Sequence, residues 1–208
     1  ITADDVRRMR ETYPDHTFVC YINTTADVKA ECDVCVTSSN VYDIVETIDN
    51  EKIYFLPDKL MGENVIEEMK QRGVKKTIQL WDGNCYVHKA FDPDMIDGIR
   101  MSYDDISVLS HPECESDVIA KSDYVGSTSQ MVNYVKDSNK KRFFLLTECG
   151  LTTRLQSEVS DKEFVGTCTM CKYMKSNSLQ GILNVLEQPK PEDVIQLDPT
   201  VSEKALEC

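Results

Sequence analysis

Apolar and polar positions along this chain spell out one α/β unit twice. Shifting the sequence by 90 residues (94 − 4) lays Asp4 on Asp94, Arg10 on Arg100, Tyr13 on Tyr103, Asp15 on Asp105, Asp33 on Asp123 and Leu56 on Leu146, with no gap. Self-similarity at one period is the mark of a repeated structural unit. Each copy opens with an amphipathic helix, predicted over Ala3–Glu11 and Asp94–Met101. Asp92-Pro93 is a strong start signal for the second of these. Buried strands follow at Thr17–Tyr21 and Ile106–Leu109, then short helices around Asp27-Val28 and Asp117-Val118. A short strand then runs into a Ser/Thr cluster, Thr37–Asn40 in one copy and Gly126–Gln130 in the other, and a helix leaves each cluster. Third strands are predicted at Lys52–Leu56 and Arg142–Leu146, and last strands at Thr77–Leu80 and Glu163–Val165.

Strands alternating with helices imply parallel sheets covered on both faces. The expected fold is therefore α/β: tandem three-layer α/β/α sandwich domains with short parallel sheets, one over residues 1–88 and one over 89–176. Residues 177–208 remain, with an amphipathic helix near Asn177–Leu186 and no sheet of their own, so they are expected to pack on another unit.

Composition narrows the function classes. Hydrophobic residues make up 41% of the 208, enough for a core, and no stretch of 18 apolar residues marks a membrane span. No charged-then-apolar leader is present, which reads as cytoplasmic. A net charge of −13 argues against nonspecific binding to nucleic acid or anionic lipid, since both need a basic face. It leaves room for small anions, which local backbone amides can bind despite the global sign. Nine cysteines without a secretion signal point to metal binding or catalysis rather than a disulfide framework.

Ligands of parallel α/β sheets sit beyond the carboxyl ends of the strands. In copy one that edge offers Tyr21, Asn23, Thr37–Asn40, Pro57-Asp58-Lys59 and Trp81-Asp82-Gly83-Asn84-Cys85. In copy two it offers His111-Pro112-Glu113-Cys114, Gly126–Gln130, Thr147-Glu148 and Cys168-Thr169-Met170-Cys171. The Ser/Thr clusters suit carboxylate or phosphate, or else plain helix capping. His111 and Glu113 suit proton transfer, or else a surface loop. Cys85 and Cys171 each follow the last strand of a copy, which makes them candidate metal ligands. Cys32-x-x-Cys35 and Cys168-x-x-Cys171 leave open a four-cysteine zinc site. A two-lobed module gripping a small anion, without a metal, is a further alternative.

Taken in order, Tyr21-Ile22-Asn23-Thr24-Thr25, Thr37-Ser38-Ser39-Asn40, Pro57-Asp58-Lys59, Trp81-x-Gly83-x-Cys85-x-Val87-His88, His111-Pro112-Glu113-Cys114, Asp123–Thr128, Thr147-Glu148-x-Gly150 and Cys171-x-x-Met174-Lys175-x-Asn177 closely resemble the quinolinate synthase family. The resemblance covers nearly the whole chain. It implies a pseudo-symmetric ring of three α/β domains, of which this chain carries the second and third. It implies a [4Fe–4S] cluster held by one cysteine from each domain, with Cys85 and Cys171 as two of the ligands. It implies a transferase of NAD biosynthesis that condenses iminoaspartate with dihydroxyacetone phosphate to give quinolinate. Its imine would come from an L-aspartate oxidase or an aspartate dehydrogenase. Tyr21 and Asn23 would then face substrate, with Tyr21 an acid/base candidate. Ser38 and Thr128 would hold carboxylates or phosphate, and His111 and Glu113 would orient substrate and move protons. The third ligand is expected outside this sequence, with Cys168 a spare thiol or a partner of Cys171. The chain alone is expected to be inactive, and its tail is expected to return to the absent first domain.

Overall fold

The computed structural model of the chain describes residues 1–167 and 169–208. In the first unit, four strands, β1 (Thr17–Tyr21), β2 (Val34–Val36), β3 (Lys52–Leu56) and β4 (Thr77–Leu80), pair in parallel in the order β2-β1-β3-β4. The helices around them are α1 (Ala3–Thr12), α2 (Ala26–Lys29), α3 (Val41–Thr47), α4 (Lys59–Gln71) and α5 (Tyr86–Lys89). The second unit repeats the order. β5 (Ile106–Ser110), β6 (Tyr124–Val125), β7 (Arg142–Leu146) and β8 (Glu163–Phe164) pair in parallel as β6-β5-β7-β8. Its helices are α6 (Pro93–Ser102), α7 (Ser116–Lys121), α8 (Thr128–Asp137) and α9 (Cys149–Glu158). The expected tandem α/β/α sandwiches are thus what the chain forms, with element ends moved by a residue or two.

Repeat identities have physical causes. Asp33 accepts from the Phe18 N–H at 2.7 Å and pairs with Arg10 at 2.6 Å. Ninety residues on, Asp123 accepts from the Val108 N–H at 2.8 Å and pairs with Arg100 at 2.9 Å. Each pair pins the first helix of its unit to β1 or β5. The exposed ion pairs add about 0–1 kcal/mol each, so the aspartate-to-backbone bonds matter more for register.

Each sheet is sandwiched between apolar layers. In the first unit, Val19, Ile53 and Phe55 pack with Met61, Val65 and Met69 of α4 on one face. On the other face, Phe18, Cys20, Tyr54 and Leu56 pack with Val6 of α1 and Val28 of α2. In the second unit, Leu109, Phe143 and Leu145 face α8, and Val108, Phe144 and Leu146 face α6 and α7. Each fully buried large side chain contributes about 1.5–3 kcal/mol relative to exposure.

The stretch after residue 176 divides into two. Helix α10 (Leu179–Glu187) is amphipathic, yet it buries none of its residues, and Leu179 and Leu186 are exposed. Helix α11 (Pro199–Glu207) instead lies on α2 of the first unit and brings Cys208 Sγ to 3.7 Å from Cys20 Sγ. That return onto a unit of this same chain was not expected. Among the described residues, no helix is long and apolar enough to cross a membrane.

Candidate active site

The carboxyl ends of both sheets meet at one buried polar cluster. Tyr21 ends β1, and His111 and Glu113 follow β5. His88 sits in α5, and Thr147 follows β7. All five side chains are buried. Glu113 lies at the centre: the Tyr21 hydroxyl donates to its Oε2 at 3.4 Å, His111 Nδ1 stands 3.1 Å from that oxygen, and His88 Nδ1 stands 3.3 Å from it. The two imidazoles stack, with centroids 4.5 Å apart and planes 12° from parallel. His88 Nε2 reaches Thr147 Oγ1 at 3.2 Å. Although His88 Nδ1 is close to Glu113, it has no hydrogen-bond partner. Ser110 Oγ, at the end of β5, is likewise buried without one. Such orphaned groups inside a polar pocket are what a ligand would satisfy.

Burial sets the charge states here. It pushes His88 and His111 down to about 4; a neighbouring His111 charge would add to the effect on His88, while Asp58 opposes it at His111. Both rings are therefore neutral at pH 7 and can accept protons or donate hydrogen bonds. Burial also lifts the Glu113 carboxyl, and lifts Asp58 to about 6, with the Glu113 charge adding to the latter. The Tyr21 phenol moves up through burial and the Glu113 charge, with the Ser38 hydroxyl opposing. Two raised carboxyls beside two neutral imidazoles form a set of groups matched to acid/base work.

The metal-ligand candidates hang from loops fixed in matching ways. Cys85 starts α5 and is half-buried. Its loop passes so close to Pro57 that a Cβ on Gly83 would meet the Pro57 carbonyl at 2.6 Å. Cys171 is also half-buried, on the loop beyond β8. That loop leaves β8 through Gly166, whose φ of +105° and contact with Phe144 exclude a side chain. Both thiols are free. Tyr86, next to Cys85, joins the two loops: its hydroxyl donates to the Met170 carbonyl at 3.3 Å and accepts from the Lys172 N–H at 2.6 Å. The donor atoms of Cys85, His88 and Glu113 lie within 4.8 Å of one another, close enough to hold a metal ion. Soft thiolates on two adjoining loops, with open polar groups beside them, suit an iron–sulfur cluster.

A cleft of about 300 Å³, lined by Tyr21, Asn23, Asp58, Trp81, Cys85 and Glu113, opens onto this cluster. A larger cleft of about 900 Å³ between α4 and α7 has none of these groups and is lined mainly by helix-surface residues. Asn23 is exposed at the rim, and Ser38 is half-buried near Tyr21. Thr128 is exposed in the first turn of α8, where Ser127 forms a capping box with Gln130. In the first unit, Asn40 Oδ1 accepts from the Thr37 N–H at 2.7 Å, so that Ser/Thr cluster is closed on itself. His111 and Glu113 are buried in the core of the site rather than on a surface loop. Cys32 and Cys35 gather with Cys20 and Cys208 under α2, and the zinc alternative that joins them to Cys168 rests partly outside the described residues. Sequence reasoning gave no role to His88, Asp58 or Thr147. His88 had one signal, its place in the Trp81–His88 segment, and Asp58 had its place after β3.

A family model described as "Quinolinate synthetase A protein" matches residues 1–208. Among curated relatives, the quinolinate synthase of Sinorhizobium medicae is 40% identical over 205 residues, 99% of this chain and 55% of that protein. The quinolinate synthase of Clostridium novyi is 40% identical over 207 residues, 99% of this chain and 67% of that protein. Quinolinate synthase 1 of Mesorhizobium japonicum is 38% identical, covering 99% of this chain and 61% of that protein. The chain therefore spans between 55% and 67% of the length of these relatives. The chain belongs to the quinolinate synthetase A protein family.

Proposed function

We propose that this chain forms two of the three units of a quinolinate synthase, which condenses iminoaspartate with dihydroxyacetone phosphate in NAD biosynthesis. The observation that carries this reading is the joining, through Tyr86, of the loops bearing Cys85 and Cys171 beside the Glu113 cluster. Cys85 and Cys171 are two ligands of a [4Fe–4S] cluster, and the third comes from a unit outside residues 1–208. Bound there, the cluster supplies an open iron that acts as a Lewis acid toward substrate oxygen.

The chain's own residues do the rest. Neutral His111 and His88 flank the raised Glu113 carboxyl, and His111 Nδ1, 3.1 Å from it, is placed to exchange a proton with it inside the buried site. Tyr21 donates to Glu113 and orients it while facing the cleft. Asn23 at the rim, Ser38 beside Tyr21 and Thr128 at the start of α8 hold the carboxylates and phosphate of the substrates. The imine is supplied by an L-aspartate oxidase or an aspartate dehydrogenase, and the site of action is the cytoplasm.

The test is quinolinate formation by the protein expressed from its whole coding sequence, with dihydroxyacetone phosphate and enzymatically generated iminoaspartate. Activity is expected in the wild type and a loss of at least about 100-fold in Glu113→Gln, the scale of general acid/base catalysis. No quinolinate from the cluster-loaded wild type, or full activity in Glu113→Gln, contradicts the reading.

A further inference from the structure

Asp58 and Glu148 occupy the same place in the two repeats, since 148 − 58 = 90. Each lies two residues past the third strand of its unit, and each is the N-cap of the helix that follows. Both are buried, at 3% and 8% exposure, where a carboxylate needs partners. One oxygen of each does the ordinary capping: Asp58 Oδ1 accepts from the Met61 N–H at 2.8 Å, and Glu148 Oε2 accepts from the Gly150 N–H at 2.6 Å. Capping leaves the second oxygen free, and both units spend it alike. Asp58 Oδ2 accepts from the backbone N–H of Cys85 at 2.8 Å. Glu148 Oε1 accepts from the backbone N–H of Cys171 at 3.3 Å, with the Lys175 ammonium 3.3 Å from the same oxygen. The cysteines themselves are out of step with the repeat, 86 residues apart rather than 90 (171 − 85). The second unit's acid is glutamate, one methylene longer than aspartate, and it still reaches its cysteine.

We propose that Asp58 and Glu148 are a repeat-related pair of positioning residues, each fixing the backbone of its unit's cluster cysteine and keeping that N–H away from the cluster sulfurs. The proposal rests on the cluster reading above and extends it to how the ligands are held. Hydrogen bonds from backbone N–H groups to cluster sulfurs, along with net charge, help set the potential of such centres. An N–H committed to a carboxylate cannot make that bond, and a carboxylate near the ligand adds negative charge. Both effects favour the oxidised cluster, the form suited to Lewis-acid work rather than electron transfer. Outer partners of metal ligands also hold those ligands in place, and their loss typically costs about 10- to 100-fold in metal affinity.

Asp58→Asn and Glu148→Gln test this in the cluster-loaded protein. Each amide keeps one oxygen for the helix cap and turns an NH2 group toward the cysteine N–H, so the cap is retained while the second bond is lost. Each variant is expected to release iron to a chelator about 10- to 100-fold faster than wild type and to show a more positive cluster midpoint potential. A loaded wild type whose two variants share its potential and its release rate overturns the proposal. Amide hydrogen exchange in the cluster-free wild type gives a second test that does not depend on how the variants fold. The Cys85 and Cys171 amides are expected to be protected, and unprotected exchange at both overturns the proposal. A wild type that takes up no cluster under reconstitution sinks the cofactor reading instead, and the exchange result still decides whether the two carboxylates grip these amides.

Discussion

The hydroxyl of Tyr86 accepts the backbone N–H of Lys172 at 2.6 Å, tying the residue after Cys85 to the residue after Cys171. This one side chain bridges loops from opposite units. It ties together the two loops that carry these cysteines, and a preset loop arrangement lowers the ordering cost of binding a group between them. Tyr86 is 43% exposed, so its bond is open to water and its contribution is local rather than global.

Tyr86→Phe is therefore expected to leave the unfolding midpoint nearly unchanged, with a loss of about 1 kcal/mol or less. Hydrogen exchange at the Lys172 amide should rise, because its acceptor is gone. Urea denaturation and exchange on the same sample separate the two effects. A large fall in global stability, or unchanged exchange at Lys172, contradicts the local assignment.

A buried bridge between the units behaves differently. Asn64 of α4 donates through Nδ2 to the carbonyls of Pro112 and Cys114, both at 2.8 Å, and holds the loop that carries Glu113. Asn64→Ala removes both donors and leaves two buried carbonyls without partners. A destabilisation of about 2–4 kcal/mol is expected from denaturant titration. A change below about 0.5 kcal/mol means that the bridge carries no stability.

Acid should unfold the metal-free protein partly through its histidines. An unfolded imidazole takes a proton near 6.5, whereas folded His111 and His88 take one only near 4. Between those values the unfolded state binds more protons, so stability is lost as pH falls from 6.5 toward 4. Each histidine can contribute at most about 1.4 kcal/mol per pH unit across that window. Asp58, raised to about 6, and Glu113, also raised, run the other way: the folded state binds their protons first, so they add stability as pH falls. Comparing the wild type with His111→Asn largely cancels the carboxyl contributions. The stability difference, wild type minus variant, is expected to shrink steadily as pH drops from 6.5 to 4. A flat difference contradicts the burial of a neutral His111.

The cysteines give a clean contrast. Cys32 lies at the α2 side of the first sheet, packed near Cys20 and Cys208, apart from the polar cluster. Cys32→Ser is expected to leave the iron content of reconstituted protein unchanged, whereas Cys85→Ser lowers it sharply. Equal losses in both variants point back to a site built from the C-x-x-C pairs.

Much of this was legible in the sequence because the repeat imposes it. The alternation of short apolar runs with amphipathic stretches placed all eight strands, and the identities at Arg10/Arg100 and Asp33/Asp123 turned out to be the pins of each sheet. Loop contacts were not legible. His111-Pro112-Glu113 is as polar as an ordinary surface turn, yet it is buried where Tyr21 and His88 of the opposing unit meet Glu113. Asp58 and Glu148 stood out only as residues beyond a strand end, since nothing local tells where either carboxylate oxygen points. The return of α11 onto α2 was hidden for a similar reason, because an amphipathic helix announces that it needs a partner without naming which one.

The most direct test of the central claim is iron and sulfide content after anaerobic reconstitution, read with the visible absorption spectrum, in the protein expressed from its whole coding sequence and in its Cys85→Ser and Cys171→Ser variants. The account expects a brown wild-type protein with about four irons and four sulfides per chain, and loss of colour and iron in both variants, as thiolate ligation of one such cluster requires. A colourless wild type under these conditions, or variants that keep the full cluster, contradicts it.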